Sequence, residues 1–177
     1  DSICDGALTP GARITQDEIA ERLGVSRQPV GQALVLLKYQ GFVSQAGRRG
    51  VIVAPLRTDI VREIYELRSA LDGLAARLAA RRCTMERSVA GREMLAEGER
   101  LAASGDVQTL LKADMAFHDF IYDLSGNPLI KPALDTHWHQ LRRVMSGVIE
   151  QDSYRAVLWN EHTEILRAIE DDDEDRA

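Results

Sequence analysis

The sequence predicts a mainly α protein in two parts: a small helix–turn–helix with a β-hairpin, then an antiparallel all-α bundle. Three observations carry this. Aromatic residues make up only 5% of the 177 residues while Ala and Leu abound, a bias toward helix. After Pro55, apolar positions recur with helical period almost without interruption. Before Pro55, two short helical patterns precede a pair of β-like runs around a Gly-flanked turn. The boundary falls at residues 54–58, inside "APLRTD", which gives domains over 1–57 and 58–177.

The elements follow in order. "TQDE", Thr15 to Glu18, is a capping box that opens a short helix, with Ile19, Ala20 and Leu23 facing one way and Gly24 as its stop. Ser26 caps a second helix, and Pro29 is tolerated in its first turn, where amides lack intrahelical partners. Val30, Ala33, Leu34 and Leu37 form that helix's expected buried stripe, which ends before Gly41. "FVSQAGRRGVIVAP" reads as strand, turn, strand, with Val43 on one arm, Val51 and Val53 on the other, and Arg48 and Arg49 at the tip. Two helices on a tight turn followed by a basic hairpin make a winged helix-turn-helix.

Behind the boundary, helices are expected over 58–81, 84–103, 106–125, 128–149 and 153–170, joined by short loops as in a bundle. The first should bury Ile60, Ile64, Leu67, Leu71, Leu74 and Leu78. The closing "EDDDEDRA" reads as a solvated helix end or tail.

Charge is divided unevenly. The net charge of -6 splits into +2 over residues 1–57 and -8 over 58–177, which excludes a non-specific nucleic-acid coat but leaves room for one basic face. No apolar run is long enough to span a bilayer, and the opening "DSICDGAL" has no basic-then-apolar signal pattern, so a cytoplasmic protein without a membrane partner is expected. Cys4 and Cys83 have neither metal-ligand spacing nor a disulfide framework, and are expected to be reduced.

Double-stranded DNA is the partner expected of the front domain. A recognition helix offers its N-terminal side chains to base edges, here Ser26, Arg27 and Gln28, with Gln32 one turn on. Arg27 suits a guanine or a phosphate, Gln28 or Gln32 an adenine, and the wing arginines Arg48 and Arg49 a groove or the backbone. The competing reading is a plain helix pair with solvated arginines.

"GALTPGARITQDEIAERLGVSRQPVGQALVLLKYQGFV", followed by "RRGVIVAP", resembles the winged helix-turn-helix of GntR-family transcriptional regulators. The family pattern runs Ser-Arg-x-Pro-Val and then Arg-Glu-Ala-Leu. Ser26, Arg27, Pro29, Val30, Ala33 and Leu34 keep it, while Gly31 and Gln32 replace Arg-Glu. The replaced arginine is one the family commonly sets on DNA, a contact worth about 1–3 kcal/mol. Gly31 also weakens its helix by about 1 kcal/mol relative to Ala. The expectation is a retuned or weakened reader, with a structural dimer that has lost DNA binding as a further reading. The family usually has a helix ahead of "GALTPG", so the first helix is expected to be incomplete.

In "DVQTLLKADMAFHDFIYDLSG", Val107, Leu110, Leu111, Phe117 and Ile121 mark a buried stripe, and Asp114 and His118 share it four residues apart. His162 shares a second stripe with Leu158, Ile165 and Ile169. Two readings stand on spacing alone: an Asp–His hydrogen bond with His162 satisfied separately in the core, or three convergent metal ligands. "ADMAFHDFIYDLSGNP" and "NEHTEILRAI" resemble the FCD ligand-binding domain of the FadR-like branch of that family. The resemblance implies a divalent metal held by Asp114, His118 and His162, with a further His about six helical turns after His162, past Ala177, so that the last helix is expected to be truncated. The mixed N/O donor set suits Zn, Ni or Mn. His137 and His139 are not expected to be ligands.

Arg68 has two readings: a surface arginine paired with Asp72, or, as the resemblance implies for this "ELR" position, a fork for a carboxylate effector. The whole then implies a dimeric regulator, not an enzyme, that binds operator DNA under control of a small organic acid. The alternative from another class is an all-helical metal-dependent hydrolase with an accessory front domain. Glu161 points away from the stripe and makes a poor general base for it.

Overall fold

The computed structural model describes residues 2–4, 6–47, 50–149 and 151–177, without the side chains at 104, 136, 146–148 and 152. The wing arginines Arg48 and Arg49 lie outside the described residues. The chain divides into two compact units, Asp1–Thr58 and Asp59–Ala177.

The first unit runs β1 (Arg13–Ile14), α1 (Gln16–Leu23), α2 (Arg27–Tyr39), β2 (Val43–Ala46) and β3 (Gly50–Val53). Thr15 caps α1 in a full capping box: its side chain accepts from the Glu18 amide, and its own amide donates to the Glu18 carboxylate. Gly24 closes α1 at φ 64°, a left-handed turn that glycine adopts without a Cβ penalty. The sheet is antiparallel in the order β1-β3-β2, with Ile14 opposite Val51 and Val43 opposite Val53. Beneath it, Ala20, Val30, Leu34 and Phe42 complete a core with Ile14, Val43, Val51 and Val53. β1 was not anticipated, because two residues carry no readable alternation. The expected stripes were also too wide. Leu23 is 65% exposed, since the chain turns off at Gly24 immediately after it, and Ala33 is exposed, since α2 buries the narrower row Val30 and Leu34.

The second unit is α3 (Thr58–Ala80), α4 (Met85–Ser104), α5 (Val107–Ser125), α6 (Ile130–Ile149) and α7 (Asp152–Glu170). Thr84 caps α4 and Asp106 caps α5, each side chain accepting an amide from the first turn. Phe117, Leu110, Ile130, Trp159, Leu166 and Ile169 lie at the centre of the bundle core. Gly98 of α4 lies directly against the Trp159 ring of α7, so the two helices meet where a Cβ has no room. α7 closes at Glu170, and Asp172 beyond it takes a left-handed φ of 56°.

The expected buried side of α3 requires correction. Ile60 and Leu67 are 36% and 41% exposed, while Arg68 is buried along with Ile64, Ala75, Ala76, Ala79 and Ala80. In its last turns α3 buries the alanines Ala75, Ala76, Ala79 and Ala80, while in its first turns Ile64 and Arg68 face inward.

Candidate functional site

In the first unit the candidate surface is the start of α2. Ser26 is its N-cap and makes no side-chain cap bond; Ser26, Arg27, Gln28 and Gln32 are all exposed, while Val30 and Leu34 of the same helix are buried. The Arg27 Nε lies 2.6 Å from Asp17 Oδ1 of α1, an ion pair between the two helices. Beside them runs a groove of about 490 Å³ lined by Gln16, Asp17, Arg27, Gly31, Lys38 and Gln45 among others. A Cβ at position 31 would meet the Gln16 amide nitrogen at 3.3 Å, so the Gln16 side chain lies close against Gly31.

In the second unit the candidate site is buried. α5 sets Asp114 and His118 one turn apart on its core face, and α7 brings His162 across to them. His162 Nε2 lies 2.9 Å from Asp114 Oδ1 and His118 Nε2 lies 3.8 Å from the same oxygen. Phe117 stacks on the His162 ring at 4.5 Å, and Trp159 meets that ring edge-on at 5.0 Å. Asp114 and His162 are 2% and 3% exposed.

Next to this cluster sits a second polar group. The Arg68 Nε donates to Asp72 Oδ2 at 2.9 Å, and the Tyr122 hydroxyl donates to Asp72 Oδ1 at 2.6 Å. The Arg68 guanidinium lies 5.3 Å over the Trp138 ring. Arg68 is therefore paired with Asp72 as one reading held, but it is buried, not a surface residue. The crevice that Arg68 lines with Ile64, His137 and Trp138 has only about 10 Å³ of room, and His139 is exposed. Asp72, Tyr122, Trp138 and Trp159 had no assigned role in the sequence reading beyond the Asp72 pair. Tyr122 continues the row Asp114, His118 at the same four-residue step, which is the signal that marks it.

Burial sets the protonation of these groups. It pushes His118 down to about 3, with the nearby Arg68 charge acting the same way and Asp114 opposing both. Burial also pushes the Asp114 carboxyl up, but the His162 hydrogen bond and the charges of His118, His162 and Arg68 outweigh it and hold Asp114 below its ordinary value. Burial raises Asp72 against the pull of Arg68 and Tyr122, and raises the Tyr122 hydroxyl. Arg68 itself is held above its ordinary value because Asp72, Tyr122 and Asp114 together outweigh its burial.

The donor set fits a divalent ion. The three ligand atoms lie within 4.8 Å of one another. Donors at 2.0–2.2 Å from a metal stand about 3–3.5 Å apart, so small side-chain rotations suffice. His162 Nδ1 is buried without a hydrogen-bond partner, which marks the cluster as incompletely satisfied by protein alone. Among the described residues these three form the group with metal-ligand geometry.

A winged helix-turn-helix unit followed by an all-α unit with a buried donor cluster is the build of a bacterial DNA-binding regulator with a sensory domain. Residues 1–53 match the bacterial regulatory proteins of the gntR family and residues 63–177 match the FCD domain. The chain belongs to the GntR family of transcriptional regulators, in its FCD-bearing branch. It is 28% identical over 177 residues to YdhC, an uncharacterized HTH-type regulator of Bacillus subtilis, covering 99% of this chain and 79% of that one. It is 35% identical over 120 residues to the Nta operon regulator of Aminobacter aminovorans, covering 67% of this chain but only 56% of that protein. The solved structure of Escherichia coli McbR/YncC superposes with a TM-score of 0.78 at 25% identity, covering 99% and 84% of the two chains. The family and these relatives are transcriptional regulators, which overturns the metal-dependent hydrolase alternative. No described helix is long and apolar enough to cross a membrane.

Proposed function

We propose that this chain is an operator-binding regulator with residues 1–57 as reader and 58–177 as sensor. Ser26, Arg27, Gln28 and Gln32 read a duplex, with Arg48 and Arg49 of the wing on the groove or backbone. The carrying observation is that these residues are exposed at the start of a helix that Val30 and Leu34 anchor in the core. None of these side chains is packed into the core, and the helix start favours phosphate. Two copies bind a two-fold operator; Ile60 and Leu67, seven residues apart on α3 and more than a third exposed, are apolar surface available to a second copy.

In the sensor, Asp114, His118 and His162 hold a divalent metal, with Zn, Ni and Mn all suited to the donors. Such an ion supplies a Lewis-acidic anchor for the carboxylate of a small organic acid. Arg68 is the second cation of the site, held ready by Asp72 and Tyr122. The crevice beside Arg68 is too small for an acid of several heavy atoms, so admitting one requires Trp138 of α6 to shift. Occupancy controls DNA affinity only insofar as the two DNA-binding states differ in affinity for the ligand.

The experiment is duplex binding by the full chain at two salt concentrations, with and without chelator. Sequence-selective binding that weakens steeply with salt and responds to chelator is the expected result. Binding equal on every duplex sinks the reader assignment, and indifference to chelator sinks the metal's part in the switch.

A further inference from the structure

We propose that Asp17 is a positioning residue for base recognition: it holds Arg27 by Nε and leaves both terminal guanidinium nitrogens to a guanine edge. The inference rests on the reading of α2 as the DNA-contacting helix. Its basis is the Arg27 Nε to Asp17 Oδ1 contact of 2.6 Å, which joins the first residue of α2 to the first turn of α1.

The pair has no evident structural task. Its side chains are 74% and 64% exposed, and an ion pair so solvated contributes little to stability. Asp17 is not needed to cap α1, because Thr15 and Glu18 form the capping box. Arg27 also sits at the positive end of the α2 dipole, where a cation is disfavoured, and the first turn of α2 has no acid to offset it. One turn on, Gly31 has no side chain that would steer Arg27. The carboxylate that fixes the guanidinium therefore comes from the neighbouring helix.

The geometry of the contact matters. A guanidinium has one N–H on Nε and two on each Nη. With the Asp17 carboxylate against Nε, the far edge presents Nη1 and Nη2, a pair of donors that matches guanine O6 and N7. The Asp17 carboxylate also offsets the Arg27 charge and so weakens its attraction to phosphate. Attraction to phosphate is the part of DNA binding that is indifferent to sequence. Asp17 thus trades general affinity for discrimination. Arg27 lines an open groove of about 490 Å³ together with Gly31.

The test uses the full chain and its Asp17→Ala, Asp17→Asn and Arg27→Lys variants. Wild type is first used to enrich duplexes from a randomised DNA library. Kd is then measured for the enriched duplex, for single base-pair variants of it, and for a scrambled duplex, at two salt concentrations. Arg27→Lys identifies the guanine in question as the position where its preference is lost. Wild type is expected to favour that guanine by about tenfold or more, within the range of one bidentate contact. Asp17→Ala should cut the preference to about threefold or less, bind the scrambled duplex more tightly and steepen the salt slope by about one per bound copy. Asp17→Asn keeps an acceptor without the charge, and should retain part of the preference while gaining scrambled-duplex affinity. Thermal melts of each variant check that the exposed substitution leaves the fold intact.

Undiminished preference in Asp17→Ala overturns the proposal, as does an equal loss on every duplex or an Arg27→Lys protein with no lost preference. If wild type enriches no sequence, the reader assignment itself fails and this inference fails with it.

Discussion

Asp114 is 2% exposed, yet its carboxyl is held below its ordinary value by the imidazoles and the arginine around it. A buried carboxylate that stays ionised needs positive or donor groups on several sides, and a divalent ion is the strongest of these. Adding Zn alone to metal-free protein should therefore raise its thermal midpoint, by an amount equivalent to about 2.7 kcal/mol at a hundredfold excess over Kd. Chelator should reverse the rise, and Asp114→Asn, which keeps the shape but not the charge, should abolish it in calorimetry. Arg68 gives a second prediction. Arg68→Met removes the cation but leaves Asp72 and the Tyr122 hydroxyl behind. Breaking a fully buried pair costs about 3–5 kcal/mol, and since Asp72 remains 28% exposed, urea unfolding should show a loss of about 2 kcal/mol. At this scale the sequence is readable wherever partners lie four apart on one helix, as Asp114 and His118 or Arg68 and Asp72 do. It is silent where the partner comes from another element, as with Tyr122 on Asp72 or Asp17 on Arg27.

Between elements, small residues decide how closely helices approach. At Gly98 the helix would gain about 1 kcal/mol from alanine, but the added methyl would collide with the Trp159 ring, which is 2% exposed and cannot swing away. Overpacking of this kind costs about 1–3 kcal/mol or more, so Gly98→Ala should be destabilising in denaturant melts and should broaden Trp159 fluorescence. α4 and α7 are also joined through Glu170, which accepts from Ser88 and from the Arg92 Nε at 2.7 Å. Burial pushes the Glu170 carboxyl up, but those two donors outweigh it and hold it below its ordinary value. A carboxyl lowered on folding binds fewer protons in the native state than in the unfolded one. Its stabilisation is therefore complete above the unfolded pKa near 4.5 and is lost as pH falls through the lowered value. Glu170→Gln should flatten the acid-side decline in stability, measured by urea melts at pH 3.5, 4.5 and 7. The helices themselves were legible from caps and periodicity, within a few residues at each end. The face each helix buries was less so: α3 turns Arg68 inward, where Asp72 pairs with it, and leaves Leu67 41% exposed.

At the scale of the whole chain, two cores lie on either side of a coil segment at residues 54–57. Leu56 and Arg57 are exposed there, and brief trypsin treatment should cut after Arg57 and release two stable fragments. The fragment from Thr58 onward should keep the Zn-dependent rise in melting temperature, and the fragment ending at Arg57 should show none. Loss of all structure on cutting would mean that the units do not fold independently.

Local chemistry is what the sequence determined by itself: caps, turns, helical periods, the order of the elements and the family motifs around Ser26–Leu34 and Asp114–His118. These are short-range properties, fixed by residues within about one or two helical turns of each other. Tertiary structure alone decided which groups from distant segments meet. It brought His162 onto Asp114, closed Trp138 over Arg68, and set Asp17 against Arg27. Periodicity records that a residue faces inward but not what it faces, because the partner is chosen by how whole helices pack.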